Sequence, residues 1–176
     1  MAPTATNPPA SPGPPGVISV AIGRWAVAAA PARIKTLLGS CVGVVLFDRV
    51  ARVGGLAHIV LPDSRGAIDQ PGKFADTAIP AMVADMEALL RVRAAGRVVA
   101  KLAGGASMFA TGPAAQAGAA LNIGRMNAEA AERILAGLRI PIVARDLGGE
   151  SGRHLTMDTA SGIVAIRIPG GADHEI

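Results

Sequence analysis

The sequence predicts an α+β fold, and three observations carry that prediction. Runs rich in β-branched residues, among them CVGVVLF at 41–47 and GLAHIVL at 55–61, have strand length and recur along the chain. Between such runs lie two longer segments, 73–95 and 126–139, whose apolar residues repeat at helical spacing. No linker or internal repeat follows the first sixteen residues, so the elements belong to one domain, expected over 17–172, with two main helices packed on a mixed or antiparallel sheet.

In chain order, residues 1–16 (MAPTATNPPASPGPPG) read as a disordered Pro/Ala-rich tail. They lack the basic flank and continuous apolar run of a signal peptide, and their prolines oppose a helix. Strands are expected at 17–22 and 25–30, before a proline-marked break, then at 41–47 and 55–61 as a hairpin turning through DRVARVG. Residues 62–72 are loop. The first helix spans 73–95, with Phe74, Ala78, Met82 and Met86 on its buried face and Gly96 as its C-cap. A strand ends in the Gly104–Gly105 pair, and Gly, Pro and Gln break the uncharged stretch 102–124, so it is loop and no membrane span. After the second helix, short strands are expected within 141–149, 154–159 and 162–169.

Composition narrows the chemistry. A chain of 176 residues, 51% hydrophobic and 17% charged, can bury a full core. One cysteine can form neither an internal disulfide nor a thiolate metal cage, which fits a reducing cytoplasm. The net charge of +4 raises the question of nucleic acid. Three Phe, one Trp and no Tyr offer little for bases to stack on, and Lys and Arg are scattered singly, so no nucleic-acid partner is expected.

The hairpin brings the single cysteine, Cys41, near His58. With the turn centred between Arg49 and Val50, paired positions sum to 99, and Cys41 stands opposite His58 with Cβ atoms about 5 Å apart. An imidazole there would activate the thiol as a nucleophile toward carbonyl carbon. Gly39 and Ser40 offer backbone N–H groups to a developing oxyanion, and Thr36 offers an oxygen to orient the imidazole. Each feature also has an ordinary structural reading: a buried thiol, a core histidine bonded to a carbonyl, a threonine at a strand edge. His154 and His174, the latter in a stretch expected to be mobile, receive no role.

Several blocks resemble one family in its own order: TLLGSCVGVVLFD, GGLAHIVLPDS, KFADTAIPAMV, AKLAGGASMF, NIGRMN and DLGGESGRH. Together they resemble the CheD chemoreceptor glutamine deamidases over nearly the whole chain after the tail. The resemblance implies an α/β sandwich related to cysteine deamidase toxins, with Cys41 as nucleophile, His58 as general base and acid, and Thr36 as third member. Some relatives carry the threonine six residues before the cysteine, where Thr36 stands five before it. Met126 departs from the basic residue usual before Asn127.

The resemblance implies hydrolysis of receptor glutamine to glutamate through a thiolate and a thioester, with no metal or organic cofactor. It implies partners in the cytoplasmic region of methyl-accepting chemotaxis receptors and in a CheC-type phosphatase. Two other classes stay open: a non-catalytic adaptor, and a receptor methylesterase, since an ester presents the same electrophile. The Gly pairs read as tight turns around the site.

Overall fold

The computed structural model describes residues 11–12, 16–67, 69–107 and 123–176. It is α+β, as expected, but carries two mixed sheets where one was foreseen. Strands β1 (Ser11–Pro12), β2 (Val17–Ser19), β4 (Arg33–Leu38), β9 (Arg153–Asp158), β10 (Val164–Arg167) and β11 (His174–Glu175) form one, in the order β1-β2-β4-β9-β10-β11. The other contains β3 (Trp25–Ala29), β5 (Val42–Asp48), β6 (Val53–Ile59), β7 (Val99–Gly104) and β8 (Ile142–Leu147), ordered β3-β6-β5-β7-β8. Helices α1 (Ala75–Leu90) and α2 (Ile123–Gly137) pack on this five-stranded sheet.

The burial patterns explain the layers. β5 and β6 are buried at every position, as strands covered on both faces must be, whereas β4 alternates exposed and buried. Val42, Val44 and Leu46 join Met82, Met86 and Leu135 in a core under the helices. Val45 and Phe47, on the opposite face, join Ile34, Leu38, Leu155 and Met157 between the sheets. The five-stranded sheet is therefore the middle layer. Among the described residues its partner sheet has no helix on its outer face, so its strands carry polar residues there, and that alternation is the sequence trace of the second sheet.

Three local expectations are corrected. β4 occupies the stretch taken as a break, and its alternating RIKTLL is a half-buried strand. α1 ends at Leu90, short of Gly96: Arg91 takes the left-handed cap position (φ 57) and donates its N–H to the Glu87 carbonyl at 2.7 Å, while Glu87 Oε1 accepts the N–H of Ala94 at 2.8 Å. α2 begins at Ile123, three residues before the expected start at Met126, and ends at Gly137. His174, expected in a mobile stretch, lies in β11 opposite Ile166. The tail outside Ser11–Pro12 and Gly16, and the stretch 108–122, lie outside the described residues. Among those described, no helix is long and apolar enough to cross a membrane.

Candidate active site

Thr36 and His58 meet where the chain passes from one sheet to the other, and Cys41 lies nearby by strand register, with no hydrogen bond to the imidazole. Thr36 sits near the end of β4, Cys41 at the end of the 39–41 turn that leads into β5, and His58 near the end of β6. The hairpin register differs from the expected one. Gly43 faces His58, and pairs sum to 101, because the turn has four residues centred between Val50 and Ala51. A two-residue Arg49–Val50 turn would demand positive φ at Arg49, and in its type I′ form at the β-branched Val50 as well. The longer turn needs only Arg52 there (φ 53), and Asp48 Oδ1 holds it by accepting the N–H groups of Val50 (2.9 Å) and Ala51 (2.8 Å).

A shift of two residues preserves the face. By register Cys41 is diagonal to His58, a relation that spaces Cα atoms by about 7–8 Å. The position directly opposite His58 is a glycine, and Leu38 and Leu155 fill the space its side chain would take: a Cβ there would stand 2.9 and 3.2 Å from their methyl groups. Cys41 is half-buried against the core between the sheets, and His58 is only 2% exposed.

One relay defines the protonation of the imidazole. The Thr36 hydroxyl lies 2.8 Å from the Val20 carbonyl and 2.8 Å from His58 Nδ1. A carbonyl only accepts, so the single hydroxyl proton goes to Val20, and Nδ1–H must donate to the threonine oxygen. In the neutral ring Nε2 then holds the lone pair. That atom is buried without a hydrogen-bond partner among the described residues. Burial lowers the imidazole pKa to about 4 and raises that of the Cys41 thiol. At neutral pH both groups rest uncharged.

Backbone bonds to the end of β7 hold the cysteine turn. Gly105 N–H donates to the Cys41 carbonyl (2.8 Å), and Ala106 N–H to the Gly39 carbonyl (3.0 Å). A Cβ on Gly104, at φ +107, would stand 2.4 Å from the Cys41 oxygen. Gly148 N–H in turn donates to the Gly104 carbonyl, and Ser107 N–H to that of Gly149. The two Gly pairs thus clamp the turn. The N–H groups of Gly39, Ser40 and Cys41 enter none of these bonds.

Sequence reasoning missed three supports. Val20 contributes only its carbonyl, which no side-chain pattern announces. Asn127, fully buried, donates Nδ2 to the Val60 carbonyl at 2.9 Å, two residues beyond His58. Arg153, also buried, binds Asp146 and the Gly148 carbonyl, bracing the second Gly pair. His154 is exposed on the outer sheet face, and His174 Nε2 pairs with Asp146 at 2.5 Å; neither joins the relay. Among the described residues no three His, Cys, Asp or Glu side chains are grouped to hold a metal.

Comparison with known proteins adds an independent line. The family model described as CheD chemotactic sensory transduction matches residues 60–168, a span that starts just after His58. A protein of Desulforamulus reducens named "Probable chemoreceptor glutamine deamidase CheD" is 47% identical over 87% of this chain and 91% of its own length. A protein of Moorella thermoacetica with the same name is 47% identical over 89% and 93%. The "Chemoreceptor glutamine deamidase CheD" of Thermotoga maritima is 40% identical over 88% and 93%.

Proposed function

The chain belongs to the CheD family, and from that premise we propose that it is a chemoreceptor glutamine deamidase, with Cys41 as nucleophile, His58 as proton carrier and Thr36 as orienting residue. The observation that carries the assignment of roles is the Val20–Thr36–His58 relay, which leaves a buried Nε2 lone pair on the face shared with Cys41.

The reaction starts from neutral partners. As Cys41 sulfur attacks the side-chain amide carbon of a receptor glutamine, its proton passes to Nε2, so the thiolate exists only in the act of attack. The new C–S bond leaves a tetrahedral oxyanion, and in this reading the N–H groups of the 39–41 turn receive it. The imidazolium gives its proton to the departing nitrogen, the C–N bond breaks, ammonia leaves and a thioester remains. Water then loses a proton to Nε2 and attacks the thioester. The C–S bond breaks, the sulfur regains its proton, and glutamate is released. Amide and water become acid and ammonia, and these steps call for no electron carrier.

The same reading places the protein in the cytoplasm, with the cytoplasmic region of chemoreceptors as substrate and a CheC-type phosphatase as a second partner. The two-sheet sandwich supports kinship with cysteine deamidase toxins. The test is mass mapping of a receptor cytoplasmic fragment treated with wild type, Cys41→Ala and His58→Ala. Wild type alone should add about 1 Da at specific glutamines, as amide becomes acid, and release ammonia. Methanol in place of ammonia would make the enzyme a methylesterase. Binding without any mass change would make it an adaptor.

A further inference from the structure

Among the described residues Arg153 is the one Arg or Lys that is fully buried, at 3% exposure. It stands on β9 directly opposite Leu38, the residue before the 39–41 turn, and on the same inward face as Leu155 and Met157. The chain just before it is equally close to that turn: a Cβ on Gly152 would stand 3.0 Å from the Leu38 carbonyl oxygen.

The guanidinium grips one turn at two points. Nη1 donates to the Asp146 carbonyl (2.6 Å) and to Asp146 Oδ1, and Nη2 donates to the Gly148 carbonyl. Gly148 and Gly149 both have positive φ, 83° and 73°, a backbone state that a glycine pair enters and leaves easily, so the turn owes its shape to what holds its carbonyls. From this turn the bonds run straight to the cysteine. Gly148 N–H donates to the Gly104 carbonyl (2.9 Å) and Ser107 N–H to that of Gly149 (2.8 Å), while between them the Gly105 and Ala106 N–H groups hold the Cys41 and Gly39 carbonyls. Arg153 therefore reaches the cysteine turn from two sides, through Leu38 on β4 and through the Gly148–Gly149 turn.

Stability alone does not account for this cation. A buried ion pair such as Arg153–Asp146 does little more than offset its own desolvation, and Arg153 Nε is buried without a hydrogen-bond partner among the described residues, a further cost. An apolar side chain would fill the layer beside Leu38 at less expense, but it could not hold two carbonyls at a fixed separation, as a planar, two-pronged guanidinium does. Asp146 Oδ2 lies 2.5 Å from His174 Nε2, so the counter-charge is itself fixed from β11. We propose that Arg153 is a positioning residue for Cys41: with Asp146 as counter-charge it fixes the Gly148–Gly149 turn, and through that turn the placement of residues 39–41 from which the sulfur attacks. The inference rests on the deamidase reading for what the sulfur attacks. Burial, not the guanidinium charge, shifts the Cys41 thiol, so the influence passes through the backbone and falls on rate rather than on substrate binding.

The test separates positioning from stability in the full chain. One variant is the double substitution Arg153→Met with Asp146→Leu, which exchanges the pair for apolar side chains of similar size; the other is Arg153→Lys, which keeps the charge but grips at one point. Ammonia release from a receptor cytoplasmic fragment gives kcat and KM, the iodoacetamide alkylation rate reports Cys41 itself, and urea unfolding reports the fold. The double variant should unfold at or above the wild-type urea midpoint while its kcat falls about 10- to 100-fold, with KM within about twofold and alkylation slowed about threefold or more. Arg153→Lys should lose most of the same rate, again at unchanged KM. A kcat within about twofold of wild type in either folded variant would overturn the proposal. If wild type releases no ammonia, the deamidase reading fails and alkylation decides: slower labelling in the folded variants upholds the positioning of Cys41, and unchanged labelling overturns it.

Discussion

Replacing Thr36 with valine keeps the shape of a side chain that is 8% exposed and deletes the one oxygen between His58 and Val20. Two bonds of 2.8 Å vanish, leaving a buried carbonyl and a buried Nδ1–H unpaired. Each such orphan costs about 1–3 kcal/mol. The imidazole can escape its share by moving the proton from Nδ1 to Nε2, and that move removes the lone pair that accepts the thiol proton in the proposed reaction. Restoring the reactive tautomer then costs about 1–3 kcal/mol, so kcat should fall about 10- to 100-fold. Ammonia release from a saturating receptor fragment measures it, with urea unfolding to show that the variant is folded. Thr36→Ser, which retains the oxygen, should recover most of the rate. A folded Thr36→Val enzyme with kcat within about twofold of wild type would refute the relay.

Other outcomes follow from the same geometry. The His58 pKa falls from 6.5 unfolded to about 4 folded, so stability is complete above pH 6.5 and declines as pH drops toward 4, because the unfolded chain takes up a proton that the native imidazole refuses. The loss should approach about 3 kcal/mol in urea titrations, and His58→Ala should lack that component. Gly104→Ala drives a Cβ toward the Cys41 carbonyl from a left-handed backbone, so it should displace the 39–41 turn and lower kcat at least about tenfold, with slower Cys41 alkylation. Asp48→Ala removes two turn hydrogen bonds and the partner of Arg97, and should lower stability by about 2 kcal/mol or more in the same titration.

The candidate site was legible in residue types: a lone cysteine after Gly39 and Ser40, a histidine in the following strand and a threonine upstream. The strand that carries Thr36 was legible too, in the alternation of RIKTLL, though the proline before it drew the eye to a break. The hairpin register was not, because it depends on which residue tolerates positive φ and on the Asp48 carboxylate bonding its own turn, choices that equal spacing does not reveal. That the cysteine and histidine still share a face reflects the period of two in a strand, which survives a shift of two residues.

The sequence by itself determined an α+β chain, its helical faces and its candidate nucleophile and base, since these rest on local periodicity and on chemistry that each side chain carries wherever it lies. Tertiary structure alone decided the second sheet, the Val20 carbonyl that fixes the histidine tautomer and the glycine clamp on the cysteine turn. These are backbone groups and long-range pairings, and a backbone carbonyl looks the same at every position until folding brings a partner within 3 Å of it.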